Sequence, residues 1–370
     1  MLRSIDLFHY RNIDALHLEL QKGVNAFIGS NGQGKTNILE GIYYLSLLRS
    51  FRTSQINDLK QWKTSLFRLH GVCSRDGLPD TELEVVYGTE RKLSVNGNAV
   101  YRTSEFINHF ICITFIPQDM ELIRGGDALR RRFIDIAISQ SSASYLKTLQ
   151  AYHEALKSRN LLLKERDRYD RRVITAYDAV LVQTGVQLEL ARRAFADDLN
   201  SALLEKSNAL IEDGRTLSVK YLSGIGPLLQ TTEEDKPALE QKFRENLEKN
   251  YERDCREGFT HCGPHRAELS CLLNGASLLH FGSEGECRMA SLAIKLACVD
   301  IIKRTSSVGD VTLLVDDVIG ELDSTRQRNF FSQLMDAGQI VLAGTFLPEP
   351  IAAAANVMGV QGGRIIGGGF

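Results

Sequence analysis

The chain lacks any apolar run long enough to span a bilayer, any Cys-x-x-Cys pair, any repeat of solenoid period and any large excess of charge. Each absence removes a class of protein. Without an apolar span, no membrane segment is expected. Seven scattered cysteines, an odd number, exclude a disulfide framework and a zinc site, and point to reduced thiols in a cytoplasmic setting. Lys and Arg total 44 against 46 Asp and Glu, a net charge of −2. That excludes a wholly basic nucleic-acid binder but not a local basic patch. The opening MLRSIDLFHYRN is charged and holds no apolar signal core. No helix-turn-helix or zinc-finger pattern occurs, so base-specific readout is not expected. What remains is a chain of 370 residues, 43% hydrophobic and 24% charged, ample for two or three packed domains.

Strand-like segments come first: SIDLFHY, ALHLEL with period-2 alternation, and the short apolar VNAFIG. TELEVVYG and RKLSVNGNAVY read as antiparallel strands, with Asn96-Gly97 as a tight turn. ICITFIP is a further buried strand. The texture then changes. Tyr145, Leu149, Tyr152, Leu156 and Leu163, and later Tyr177, Leu181, Thr184, Leu188, Ala191 and Phe195, recur at helical spacing. They are apolar seams of two helices able to pack as a hairpin around the charged tip KERDRYDRR. After LSVKYLSG and a polar helix, strands and helices return in VTLLVDD, STRQRNFFSQLMDA and QIVLAGTF. The pattern predicts an α/β lobe over 1–115 and 258–370, split by a mainly helical insertion over 116–257.

Gly29-Ser30-Asn31-Gly32-Gln33-Gly34-Lys35-Thr36 fits G-x-x-x-x-G-K-[ST], with a strand before it and a helix after it, and Asn37 is counted with it as a nucleotide-binding candidate. In such a P-loop, backbone N–H groups wrap the phosphates of a nucleotide. Lys35 reaches the β- and γ-phosphates, and the Thr36 hydroxyl ligates Mg²⁺. The loop needs an acid on a neighbouring strand. TLLVDDV supplies Asp316, to hold Mg²⁺ through water, and Asp317, placed to polarise an attacking water. ATP and Mg²⁺ are the implied cofactors.

Upstream, HFGSEGECRMASLAIKLAC puts small residues and two carboxylates, Glu284 and Glu286, at the mouth of an apolar helix. A helix N-terminus favours anions. Ser283-x-Gly285, placed before the Asp pair, matches the signature motif of ABC-type ATPases, whose signature helix faces the nucleotide of a second protomer. GELDS puts Asp323 at the D-loop position, and FIPQD puts Gln118 at the Q-loop position, where it would help hold the metal.

FHYRNIDALHLEL, GSNGQGKTNILEGIYYLSLLRSFR, FIPQDMELIRGGDALRRRFID, YHEALKSRNLLLK, GPHR, GSEGECR and LVDDVIGELDS occur in one order. In them the chain resembles the RecF family of bacterial recombination mediators, relatives of SMC-type heads. RSFR, RRRFID and GPHR are more specific than the P-loop, and transporter ATPases lack them. The resemblance implies an ABC-type head split by a helical second lobe, ATP-dependent homodimerisation and slow DNA-stimulated hydrolysis. It also implies binding to double-stranded and gapped DNA and, with RecO and RecR, help in loading RecA. The family signature is usually Ser-x-Gly-Gln, and Glu286 stands in the Gln place. Pointing inward it would face phosphate charge, so it is expected to be turned aside or to weaken a closed dimer.

For DNA phosphates the candidates are Arg130, Arg131 and Arg132, and the tip set Lys164, Arg166, Arg168, Arg171 and Arg172. Arg131 and Arg132 have an alternative role, pairing with carboxylates inside the insertion. Arg49 and Arg52 follow the P-loop helix and would help position the α/β lobe. His265 in GPHR reads as a structural turn, because no second His or Cys lies at ligand spacing. The alternative functions are an SMC-like structural ATPase, for which the insertion is too short, and a transporter-type subunit, which leaves RSFR and GPHR unexplained.

Overall fold

The computed structural model of the chain describes residues 1–75, 77–165, 171–211, 214–226, 236–306, 310–318, 320, 322–335, 338–347 and 349–367. β1 (Leu2–Tyr10) and β2 (Ile13–Glu19) form a hairpin, and β3 (Gly23–Ile28) leads towards α1 (Lys35–Leu47). β4 (Phe67–Arg75), β5 (Leu78–Tyr87), β6 (Arg91–Val95) and β7 (Asn98–Val100) are antiparallel, with Asn96 and Gly97 at positive φ in the last turn. The short α2 (Thr103–Phe106) and buried β8 (Cys112–Phe115) follow. Next come α3 (Glu121–Arg124), α4 (Asp127–Ser141), α5 (Ala143–Lys164) and α6 (Arg171–Leu210). β9 (Leu217–Leu222), α7 (Lys236–Glu257), β10 (Glu268–Leu273), β11 (Ala276–Ser277), α8 (Leu278–Phe281) and α9 (Glu284–Thr305) come after them. The chain ends through β12 (Thr312–Asp316), α10 (Ser324–Leu334), β13 (Gln339–Gly344), α11 (Glu349–Ala352), β14 (Ala355–Gln361) and β15 (Arg364–Ile366).

These elements form two compact units, 1–119 with 302–370, and 120–301. The first crossing falls after Asp119 rather than at 115, and the second at 301 rather than 257. Residues 258–301 belong with the insertion because β10 lies antiparallel to β9, from Glu268 opposite Leu222 to Leu273 opposite Leu217. Local composition does not reveal pairing across that distance.

The first unit holds two six-stranded sheets, in the orders β2-β1-β4-β5-β6-β7 and β15-β14-β3-β13-β12-β8. In the second sheet β14, β3, β13, β12 and β8 run parallel, with only β15 antiparallel, and the central strands are mostly apolar and almost wholly buried, as strands covered on both faces are. α1 packs on β1, β4 and β5 of one sheet and on β8, β12 and β13 of the other. Ile38, Leu39, Ile42 and Leu45 are accordingly buried on every side of it. The Gln339 amide, also buried, bridges the sheets by accepting from Leu2 N (2.9 Å) and donating to Leu2 O (2.7 Å).

In the second unit α5 and α6 pack along each other. Tyr145, Tyr152, Leu156 and Leu163 on α5, and Leu181, Leu188 and Phe195 on α6, are buried as their spacing predicts. The same interior also holds charge. The Arg192 guanidinium donates to both oxygens of Asp135 (2.9 and 3.0 Å) and to Pro264 O (2.7 Å). Arg159, fully buried, donates to Asp178 (2.6 Å), Asp254 (2.7 Å) and Thr260 Oγ1 (2.8 Å). Thus RRRFID, the SRN of YHEALKSRN and GPHR meet in a buried polar framework, as buried ions require.

His265 completes that framework. Its Nε2 lies 3.0 Å from Thr260 O, which only accepts, so Nε2 carries the proton; Nδ1 then accepts from Tyr152 OH at 2.7 Å. Burial holds the imidazole down to about 4. An unfolded histidine takes its proton near 6.5, so between these values the unfolded state binds more protons. The His265 contribution to stability is therefore complete above about pH 6.5 and is lost as pH falls towards 4. Melting temperature measured against pH is expected to fall across that window, and His265→Phe to flatten the fall. An unchanged slope in the variant would assign the acid sensitivity to other groups.

Candidate functional site

β3, β12 and β8 end on the same edge of their parallel sheet, where ligands of open α/β sheets bind. The P-loop leaves β3, and Asp316 ends β12. Gln118 sits exposed in the turn just past β8. Two glycines of the loop are dictated by their surroundings. A Cβ on Gly29 would lie 2.4 Å from Val360 O of β14, and Gly34 has φ 107 with the Asn12 side chain 2.9 Å from a would-be Cβ. Gly34 is also the N-cap of α1 and has no side-chain cap, so the first N–H groups of the helix remain open to an anion.

The Lys35 ammonium donates to Gly29 O (2.7 Å) and Ser30 O (2.9 Å). It is buried inside the loop that phosphates would fill. Thr36 Oγ1 donates to Asp316 Oδ1 at 3.1 Å. Burial pushes the Asp316 carboxyl up to about 6, against the Thr36 bond that lowers it. A hydroxyl and a carboxylate oxygen side by side, in a place where positive charge would be stabilising, are donors suited to Mg²⁺. Asp317 lies at φ 49 in the left-handed region, which Asp tolerates, with its N–H on Ala343 O. The turn sends the two neighbouring carboxylates apart: Asp316 is buried and Asp317 exposed.

Glu40 and its partner Arg11 escaped the sequence reading, whereas Gln33, Asn37 and Arg52 did not. Glu40, on α1 and fully buried, accepts two bonds from Arg11 (2.8 and 2.7 Å) and one from the Ser50 hydroxyl. Asn37 donates to Asn12 Oδ1 (2.7 Å) and accepts from Arg52 (2.7 Å). Gln33 accepts from the Gly362 and Gly363 N–H groups of the β14–β15 turn. Thus RSFR and the β1–β2 turn brace the P-loop helix. An acid at the centre of the apolar ILEGI was the one available signal.

Ser283 and Gly285 lie in the second unit, exposed at the start of α9. Glu286 is turned onto its own helix. Its Oε2 accepts from Ser283 N (2.7 Å), Ser283 Oγ accepts from Glu286 N (3.3 Å), and Arg215 pairs with its Oε1. This is a capping box with an added cation. The Ser283 N–H, followed by Arg215, holds the Glu286 carboxyl down to about 2. Glu284 pairs with Arg288 one turn on. Asp323 caps α10, accepting from Thr325 N (3.0 Å) and Arg326 N (2.9 Å).

The basic candidates divide. Arg130 is buried and donates to Gly125 O (2.6 Å) and Asp127, which corrects its assignment to DNA phosphates: the guanidinium is consumed within its own turn. Arg131 is half-buried, and donates to Ala267 O (2.6 Å). Arg171 pairs with Glu248 and covers the Tyr251 ring. Arg132, Lys164 and Arg172 are exposed. Arg166 and Arg168 lie outside the described residues.

No family model matches the chain. The DNA replication and repair protein RecF of Clostridium tetani (strain Massachusetts / E88) is 33% identical over 342 residues, 92% of this chain and 92% of that protein. RecF of Latilactobacillus sakei subsp. sakei (strain 23K) is 33% identical over 374 residues, 99% of this chain and 98% of that protein. A solved structure of the recombination mediator protein RecF with ATP in the RecFOR pathway has a TM-score of 0.89 at 27% identity, covering 99% of this chain and 96% of that one. An SMC head bound to the C-winged helix domain of ScpA shares the fold, at a TM-score of 0.53 and 13% identity over 99% of this chain and 96% of that one. The architecture is that of an ABC-type ATPase head split by an inserted, mainly helical lobe. With a third of its residues identical to these relatives over nearly its whole length, the chain belongs to the RecF family of DNA replication and repair proteins.

Proposed function

We propose that this chain is an ATP-dependent, DNA-binding recombination mediator, in which ATP closes a homodimer on double-stranded or gapped DNA and hydrolysis releases it. With RecO and RecR it would assist RecA loading, in the cytoplasm. The observation that carries this reading is the cluster of Lys35, Thr36, Asp316 and Asp317 on one sheet edge, in a chain similar to a RecF solved with ATP. Free cysteines throughout, and the absence of any described helix apolar enough to cross a membrane, agree with it.

In this mechanism the open N–H groups of α1 take the phosphates, and Lys35 leaves the Gly29 and Ser30 carbonyls for the β- and γ-phosphate oxygens. Thr36, Asp316 and Gln118 would hold Mg²⁺, which neutralises phosphate charge when bound. Asp317, exposed and directed away from Asp316, orients the attacking water and takes its proton. Ser283 and Gly285 present the α9 N-terminus to the nucleotide of the second protomer, and Asp323 lines the same interface. Turnover is slow until DNA is bound.

Lys35→Met is expected to abolish ATP-driven dimerisation, read by light scattering, with the fold intact by circular dichroism. Asp317→Asn is expected to dimerise normally and slow turnover by ~10²-fold or more. Turnover at the parental rate would remove Asp317 from the mechanism.

Because the Glu286 carboxylate is held by Ser283 N and Arg215, it is already turned away from a facing phosphate. Glutamine still serves a capping box. Glu286→Gln is therefore expected to leave the ATP concentration for dimerisation unchanged to within about threefold, because a partly exposed ion pair contributes only ~0–1 kcal/mol. A large shift in either direction would place the carboxylate in the closed interface.

DNA affinity is expected to fall linearly with salt on logarithmic axes, because neutralised phosphates release counterions. Arg132→Ala is expected to reduce that slope by ~1 if Arg132 meets a phosphate. A flat salt dependence would exclude a phosphate-dominated interface.

A further inference from the structure

Trp62 is the chain's only tryptophan, and it is 86% exposed. An indole left in water forgoes much hydrophobic stabilisation, so covering this ring would be favourable. The segment is ordered on both sides of the ring. Arg11 N donates to Leu59 O, and the Arg11 side chain donates to Asp58 O, both at 2.8 Å. Lys60 is bridged to Tyr10, Gln61 N donates to His9 O at 2.7 Å, and Thr64 Oγ1 closes on Gln61 O at 2.7 Å. Three non-glycine residues here occupy the left-handed region: His9 (φ 51), Arg11 (φ 54) and Lys63 (φ 68). Such strain persists where the surroundings impose it, and it gathers at functional positions.

The charge around the ring selects the partner. Lys60 and Lys63 flank it in sequence. The pairing of Phe67 with Tyr87 and of Tyr87 with Arg91 brings Arg68, Arg91 and Lys92 to the same end of the sheet. Among the described residues no carboxylate lies within ion-pair distance of Lys60, Lys63 or Lys92. The carboxylates at this end are partly engaged: Glu84 by Arg68 and Asp58 by the Thr53 hydroxyl, with Glu90 left exposed. Gln61, Thr64 and Ser65, next to Trp62 in sequence, are polar, unlike the apolar centre of a protein-docking hot spot. A rigid aromatic face among lysines matches a stacking platform for single-stranded nucleic acid, in which the ring takes an unpaired base and the ammonium groups take the flanking phosphates.

We propose that Trp62, with Lys60 and Lys63, is a stacking site for an unpaired base of DNA, directing the protein to the single-stranded part of a gapped duplex. This rests on the DNA-binding reading above and adds to it a surface and a preference. A fully paired duplex keeps its bases stacked within and gives the ring nothing to take.

The test uses the full chain with ATP–Mg²⁺ and two labelled probes, a duplex with a single-stranded gap and the same duplex fully paired. Anisotropy of the label gives affinity, and intrinsic emission, excited at the red edge where tyrosine does not absorb, reports on Trp62 alone. Gapped DNA is expected to quench the emission and the paired duplex to leave it nearly unchanged. Trp62→Ala is expected to weaken gapped-duplex binding by about tenfold, the effect of one lost stacked base, and to leave the paired duplex within about twofold. Trp62→Phe should retain most of the preference, and ATP-driven dimerisation should be unchanged in both variants. Gapped DNA that binds without quenching, or a Trp62→Ala protein that keeps the full preference, overturns the stacking site while the DNA-binding reading stands. Failure of both probes to bind removes the two together.

Discussion

A helix enclosed by two sheets, carrying one carboxylate at its centre, sets the conditions for the rest of the first unit. α1 has no solvent face through Ile38–Leu45, yet residue 40 is glutamate, fully buried. An uncompensated ion there would cost several kcal/mol. Arg11 compensates it through a fork of two bonds and Ser50 through a third. Meeting that need draws the β1–β2 turn and the RSFR segment onto the P-loop helix. Arg11 also holds the backbone at Asp58 and Leu59, so the charge that fixes α1 fixes the Trp62 segment as well.

The second unit follows the same rule with the signs reversed. Arg159 and Arg192 are buried cations, and Asp135, Asp178 and Asp254 are drawn in to meet them from α4, α6 and α7. Each pair joins elements that apolar packing alone would leave free to slide. The residues that make RRRFID and GPHR so specific therefore act mostly within the fold, and the surfaces for nucleotide and DNA are left to residues nearer the strand ends and loop tips.

Local signals in the sequence were enough for the P-loop, the helical seams and the Asn96-Gly97 turn, because each is written in neighbouring residues. β14 and β15 were not legible: ANVMGVQ has weak alternation, and β14 is a strand only because β3 offers it a parallel edge. The return crossing at 301 was hidden for the same reason, since β9 recruits β10 across a helix. For Glu286 the sequence left two outcomes open, a carboxylate turned aside or one facing phosphate, and could not choose between them. The carboxylate's partner Arg215 is far off in sequence, and only folding brings the two together. Arg130 failed for a simpler cause. Three adjacent arginines look alike in sequence, and the helix turns one of them inward.

The parallel sheet that carries the P-loop takes β3 and β8 from the beginning of the chain and β12, β13 and β14 from its end. Its central strand β3 has β13 on one side and β14 on the other, both beyond residue 338. During synthesis the contiguous 120–301 segment can reach its native contacts while the ribosome is still extending the chain. The P-loop strand must wait, its apolar edges uncovered, until β13 and β14 have emerged. Such long-range closure is slow and leaves the nascent chain open to aggregation. Ribosomes stalled between residues 301 and 339 would thus release a folded insertion attached to an unfinished nucleotide-binding lobe.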